Sequence, residues 1–253
     1  MTKKIWLLTG GFVLVSVISI VAHVPAAFVL RQVTLPAPLQ IEGISGTVWQ
    51  GKAQSVSWQR QSLGEVRWSL SGWKLLMARL EATVRFGRGS DLGINGKGVL
   101  GYGFGGAYAR DLVTSMAAEN ALRYAQVPLP IGVSGQLVLT IDDWRYQAPY
   151  CARGEGELAW GQAGAQTPLG DLDLGPVVAT IRCENSSLSV AGQQSSAQVS
   201  SEFSAELQAN QSYTSQAWFK PGAEFPGSLQ SQLRNLPKPD AQGRYQFSQG
   251  GRL

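Results

Sequence analysis

The residues that could carry chemistry are few and scattered. The chain of 253 residues holds one histidine, His23, two cysteines, Cys151 and Cys183, and 17 acids. Hydrolytic or acid–base work needs a carboxylate, an imidazole or a nucleophile within mutual reach. The closest acidic pairs are Asp142-Asp143, Glu155/Glu157 and Asp171/Asp173; none has a histidine or nucleophile beside it, and each reads as a turn or a solvated strand face. Neither cysteine stands near a histidine or in a C-x-x-C pair, so metal binding and redox catalysis are poor readings. Gly101, Gly103 and Gly106 match the G-x-G-x-x-G pattern that brings a backbone close to a pyrophosphate. No succession of alternating strands and helices follows to build the parallel sheet such a site needs, so these glycines are expected in a bend or at a sheet edge. The sequence therefore offers no catalytic residues, no cofactor-binding residues and no metal ligands.

The elements that would position any site are organised around the start of the chain. Ile5 to Val24 reads IWLLTGGFVLVSVISIVAHV, without an acid, a lysine or an arginine. At a helical rise of 1.5 Å per residue it covers about 30 Å, the thickness of a bilayer's hydrocarbon core. Lys3 and Lys4 precede it and no charge follows before Arg31, which places the N-terminus in the cytoplasm. The expected organisation is a cytoplasmic tail at 1–4, a single transmembrane helix at 5–28, a proline-containing lead-out at 29–40 and a periplasmic β-rich domain at 41–253. A cleaved secretory signal ending near Val24-Pro25-Ala26 is the rival reading. Against it stand the length of the apolar run, beyond the roughly 7–15 residues of a signal's central region, and the proline beside the cut. His23, at the outer end of the run, reads as a polar interfacial residue.

The exported part is polar without being highly charged. Charged residues make up 15% of the chain, glycine is abundant at 30 residues, and the net charge is +4. With a pI near 9.2 and no basic run beyond Lys4, there is no phosphate track for a nucleic acid, although some attraction to anionic lipid headgroups remains. The composition and the recurring period-2 alternation indicate a mainly β fold. That fold is a single N-terminal transmembrane helix followed by a large antiparallel, curved β-sheet domain with one packed helix. Alternating positions predict a strand, turn and strand over Ile41–Trp58 and strands around Val66–Leu70, Leu80–Phe86, Val133–Ile141, Ala152–Trp160, Val177–Cys183, Val199–Leu207 and 212–220, with a last edge strand at Tyr245 and Phe247. The packed helix is expected over 107–124, where alanines are frequent and Leu112, Met116 and Leu122 recur near helical spacing. Trp58, Trp68 and Trp73, close in sequence, are expected to fill a common core. Cys151 and Cys183 lie on the exported side, so a disulfide closing a loop of 32 residues is the default.

Three features carry a family resemblance: the single anchor, then Gly43, Gly46, Trp49 and Gly51 in a G-x-x-G-x-x-W-x-G pattern soon after it, then a long β-rich body ending in Gly243-Arg244-Tyr245. Together they resemble the protein N family of the bacterial type II secretion system, over essentially the whole chain. The resemblance implies a non-enzymatic inner-membrane component with a periplasmic domain, acting as scaffold or assembly factor for export of folded proteins across the outer membrane. Its implied partners are the other inner-membrane subunits of that apparatus, and the glycines and tryptophan of the motif would have a structural role: a bend, with the tryptophan packed beneath it. The alternative is an envelope lipid-binding or lipid-transfer protein with a curved β-sheet groove, for which lipid is the partner.

Overall fold

The computed structural model of the chain describes residues 12, 16, 19–32, 38–59, 61–125 and 131–252. The expected transmembrane helix at 5–28 and the tail at 1–4 fall largely outside the described residues, and among those described no helix is long and apolar enough to cross a membrane. After a turn at His23, Pro25 precedes a separate helix, α1 (Ala26–Gln32), in the region read as lead-out. Proline fits there because its missing N–H and fixed φ cost nothing ahead of a first helical turn.

The rest is one antiparallel sheet of fourteen strands in meander order. The strands are β1 (Leu39–Glu42), β2 (Ser45–Gly46), β3 (Gln50–Trp58), β4 (Gln61–Leu70), β5 (Leu80–Arg88), β6 (Asn95–Gly103) and β7 (Gly106–Ala117). There follow β8 (Gly132–Arg145), β9 (Arg153–Thr167), β10 (Gly170–Glu184), β11 (Ser187–Ser195), β12 (Val199–Leu207), β13 (Ser212–Pro221) and β14 (Tyr245–Arg252). Every strand from β3 onward pairs with its neighbour in sequence; β1 and the short β2 both pair with β3. Short helical elements complete the described chain: α2 (Gly72–Leu75) between β4 and β5, α3 (Ala118–Ala125) after β7, and α4 (Gly227–Gln230) running into a 3-10 turn (Ser231–Asn235) between β13 and β14.

The register sorts side chains into two faces, because neighbours opposite one another point the same way. One face carries an apolar row through the sheet: Trp68 opposite Val84, Ala82 opposite Leu100, Leu112 opposite Ile141, Leu139 opposite Leu158, Trp160 opposite Val177, Phe203 opposite Ala217, and Ala217 opposite Phe247. Glycine on this face makes room for large neighbours. A Cβ at Gly192 would strike the Phe203 ring, which lies over it from the next strand. The other face is mainly polar, with Val99, Val113, Val138, Val178 and Trp218 set among its polar residues.

Two expectations are corrected. The segment 107–124 is a strand up to Ala117, and only Ala118–Ala125 is helical. The cause is a β-bulge: β6 pairs Val99 with Arg110 and Lys97 with Val113, which leaves Asp111 as an extra residue at φ 48°. Ala109, Leu112 and Met116 share the apolar face, but the bulge converts their spacing to three and four, which imitates a helix. Nor do the three tryptophans share a core. Trp58 and Trp68 lie on the apolar face of β3 and β4, whereas Trp73 projects outward from α2.

Cys151 and Cys183 form a disulfide, with their Cα atoms 6.2 Å apart, joining the β8–β9 connection to the end of β10. Ser186, buried beside them, donates through its backbone N–H to the Cys151 carbonyl at 2.8 Å.

Candidate functional site: an apolar face left open

A closed β sandwich or barrel buries its largest apolar side chains. Here the buried hydrophobic residues among those described are alanine, valine, isoleucine and cysteine; no leucine, phenylalanine, tryptophan, tyrosine or methionine is among them. Leu139, Leu158, Trp160, Val177 and Phe203, in the middle of the apolar row, are only half-buried. Among the described residues no second sheet or long helix covers them. The apolar face is a trough rather than a core.

One end of the trough is roofed. Helix α1 sets Ala26, Val29 and Leu30 against Leu39 and Ile41 of β1, Val56 of β3 and Trp68 of β4, and together they line an open pocket of about 340 Å³ that is almost wholly apolar. The glycine and tryptophan motif builds the attachment. Gly43 and Gly46 adopt φ of +65° and +90°, conformations that favour glycine, in the loop that reverses the chain between β1 and β3. Gly51 does not; it lies beneath the ring of Trp68, whose Nε1 donates to the Val48 carbonyl at 3.0 Å. Trp49 is turned the other way, its Nε1 donating to the carbonyl of Val21 at 2.8 Å. The ring over Gly51 is thus that of Trp68, while Trp49 ties the sheet to the N-terminal segment. Pro25 bridges to Thr47 beside it.

The residues weighed for chemistry remain apart. Asp143 pairs with Arg153 at 2.6 Å, Asp142 is an exposed bulge residue between β8 and β9, and Glu155, Glu157, Asp171 and Asp173 lie exposed on the polar face. Gly103 and Gly106 flank the tight β6–β7 hairpin, and Gly101 sits under the ring of Tyr108. The His23 ring nitrogen Nδ1 lies 2.8 Å from the Ser19 carbonyl. No group of three potential metal ligands occurs among the described residues.

One charged cluster was not foreseen. Glu81, on the polar face and buried, accepts from Lys74 Nζ at 2.6 Å, Tyr108 Oη at 2.7 Å and Arg110 Nη2 at 2.6 Å. Burial pushes its carboxyl up, but the hydrogen bonds from Lys74 and Tyr108 and the charges of Arg110 and Lys74 outweigh that and hold it below the usual carboxylate range. Burial and the facing carboxylate raise the Tyr108 phenol. With every oxygen of Glu81 engaged by cations or a hydroxyl, the cluster locks α2 onto β5 and β7 and has no free base to offer.

The family model for the type II secretion system (T2SS), protein N, matches residues 37–248, which span nearly the whole sheet. Type II secretion system protein N of Vibrio cholerae serotype O1 is 47% identical over 235 residues, covering 93% of each chain. The protein of the same name from Aeromonas hydrophila is 37% identical over 246 residues, covering 96% of this chain and 94% of the relative. That from Pectobacterium carotovorum is 27% identical over 256 residues, the full length of both. No solved structure matches the chain.

Proposed function

Because the chain belongs to the type II secretion system protein N family, we propose that it is a non-enzymatic component of that apparatus, held in the inner membrane by residues 5–28 and presenting its β sheet in the periplasm as a scaffold for other inner-membrane subunits. The family match over the sheet is the observation that carries this reading. The architecture supports it. The sheet exposes the outer edges of β1 and β14 among the described residues, ready for strand addition, and an apolar trough that a partner could cover. The dispersed acids and the fully engaged Glu81 suit a non-enzymatic role.

Photo-crosslinking in cells tests the reading, with a photoreactive residue in turn at Leu158 in the trough, at Gln246 on β14 and at Glu157 on the polar face. Adducts with other inner-membrane subunits of the secretion apparatus are expected from the first two. Their absence from all three positions overturns the scaffold.

A second reading is favoured by one observation, the half-exposed leucines and aromatics of the trough. They suit acyl chains as well as a protein. Lipid recovered with the full-length protein and crosslinked at Leu158, without any protein adduct, moves the function to lipid handling.

A further inference from the structure

The end of the sheet where the N-terminal segment arrives carries a cluster that neither the trough nor the scaffold reading accounts for. The hydrogen bond from Trp49 to Val21, and that from Val48 N–H to the Val24 carbonyl at 3.0 Å, set this end against the last residues of the apolar run 5–24. Leu70 N–H donates to the Trp49 carbonyl at 2.7 Å, which brings the β4–β5 connection to the same place. That connection turns large apolar side chains outward: Trp73 is 68% exposed, Leu76 78% and Met77 54%. Leu80 lies opposite Tyr102, so the β6–β7 hairpin is adjacent, and Phe104 at its tip is 93% exposed. Single exposed apolar residues are ordinary; four large ones on neighbouring loops of one sheet end mark a surface meant to be covered.

Cations accompany them. Between the two loops is a hollow of about 120 Å³ walled by Arg79, Arg110 and Arg145 and by the backbone of Gly103–Gly106, with Asp143 its one acid. Asp143 is already paired with Arg153 and Arg110 with Glu81, the buried Nε of Arg110 meeting no acceptor among the described residues, so Arg79 and Arg145, without a carboxylate among the ion pairs of the described residues, carry the charge of the hollow. The hollow is positive, and its volume accommodates a phosphate. Exposed aromatic and aliphatic side chains interleaved with arginine and lysine are the composition of surfaces that lie in a membrane interface.

We propose that this end of the sheet dips into the headgroup layer of the bilayer that holds the N-terminal segment. Trp73, Leu76, Met77 and Phe104 sit at the acyl boundary, and the phosphate of an anionic phospholipid seats between Arg79 and Arg145. The inference rests on the anchor reading above, and it adds a second point of attachment. A single span leaves a domain free to swivel; a span and a dipping edge together fix the tilt of the trough relative to the membrane.

The test uses the full-length chain in vesicles of phosphatidylethanolamine with phosphatidylglycerol. Because both native cysteines are in the disulfide, single introduced cysteines can be labelled with an environment-sensitive fluorophore: Leu76→Cys and Phe104→Cys at the edge, Phe12→Cys in the apolar run, and Asp91→Cys in the β5–β6 connection at the opposite end of the sheet. Nitroxide lipids should quench positions 76 and 104 by about two-fold or more, as expected for a depth of about 5–10 Å, and leave 91 unchanged. Quenching at 12 with none at 76 or 104 overturns the dipping edge and leaves the anchor intact. No quenching at 12, 76 or 104 overturns both. Quenching at 76 should increase with the phosphatidylglycerol fraction and lose that dependence in Arg79→Gln/Arg145→Gln; a dependence unchanged by the double substitution, or absent from the parent chain, overturns the phosphate site.

Discussion

Glu81 shows how much a single residue can hold here. The residue is 8% exposed, and its carboxylate collects Lys74 from α2, and Tyr108 and Arg110 from β7. A group whose folded pKa is depressed contributes stability that is fully present above its unfolded pKa, near 4.3, and is lost as pH falls through the lower folded value. Glu81→Gln is therefore expected to cost about 1–3 kcal/mol at neutral pH, and the gap from the parent chain to narrow as pH is lowered from about 5 toward 3. Denaturant unfolding at several pH values reads this, and a gap that does not change with pH contradicts it. The cluster was illegible in the sequence because Tyr108 and Arg110 lie 27 and 29 residues from Glu81, and Lys74, 7 residues away, is across the α2 turn, positions that no local pattern links. Gly101 belongs to the same structure. It was conspicuous for resembling a nucleotide-loop glycine, but its place is beneath Tyr108, so Gly101→Ala should displace the ring from Glu81 and reproduce part of the Glu81→Gln loss in the same denaturant measurement.

At the scale of strands, the polar face carries a row of like charges. Lys52, Arg67, Arg85 and Lys97 stand directly opposite one another across β3, β4, β5 and β6, four cations within about 15 Å at the usual strand spacing. Only Arg67 has a carboxylate on it, Glu65 at 2.5 Å, among the ion pairs of the described residues. Directly opposed like charges destabilise a sheet, so Arg85→Glu should stabilise the chain by about 0.5–1 kcal/mol at low ionic strength. The gain should fade as salt screens the row. Thermal unfolding at low and high salt decides; a gain that is equal at both would mean that packing, not charge, produces it. Strand existence was readable from alternation, since period 2 is what a half-buried strand imposes. The β7 bulge was not, because one inserted residue at Asp111 shifts the phase and turns strand spacing into apparent helix spacing.

For the molecule as a whole, alternation says that one face is apolar but not what lies against it, so the mainly β class was legible and the openness of the trough was not. Openness has a measurable consequence. Leu158→Lys should cost less than about 2 kcal/mol, because a lysine on a half-exposed face can carry its ammonium to water. A cost above about 4 kcal/mol, of the size seen for charges placed in sealed cores, would show the trough to be filled. The disulfide acts at this scale too: replacing Cys151 and Cys183 together by alanine should lower stability by roughly 2–4 kcal/mol by releasing a loop of 32 residues, read from denaturant midpoints of the two forms.

The meander order also bears on time. From β3 onward, each strand finds its partner in the strand made just before it, and none must wait for one made much later. The sheet can therefore lengthen hairpin by hairpin in the direction of synthesis, with every new strand templated on a finished edge and little loop-closure entropy to overcome at each addition. Chain ends are then unequal: interruption near the C-terminus leaves a shorter sheet, whereas interruption near β3 leaves the later strands without the edge on which growth begins.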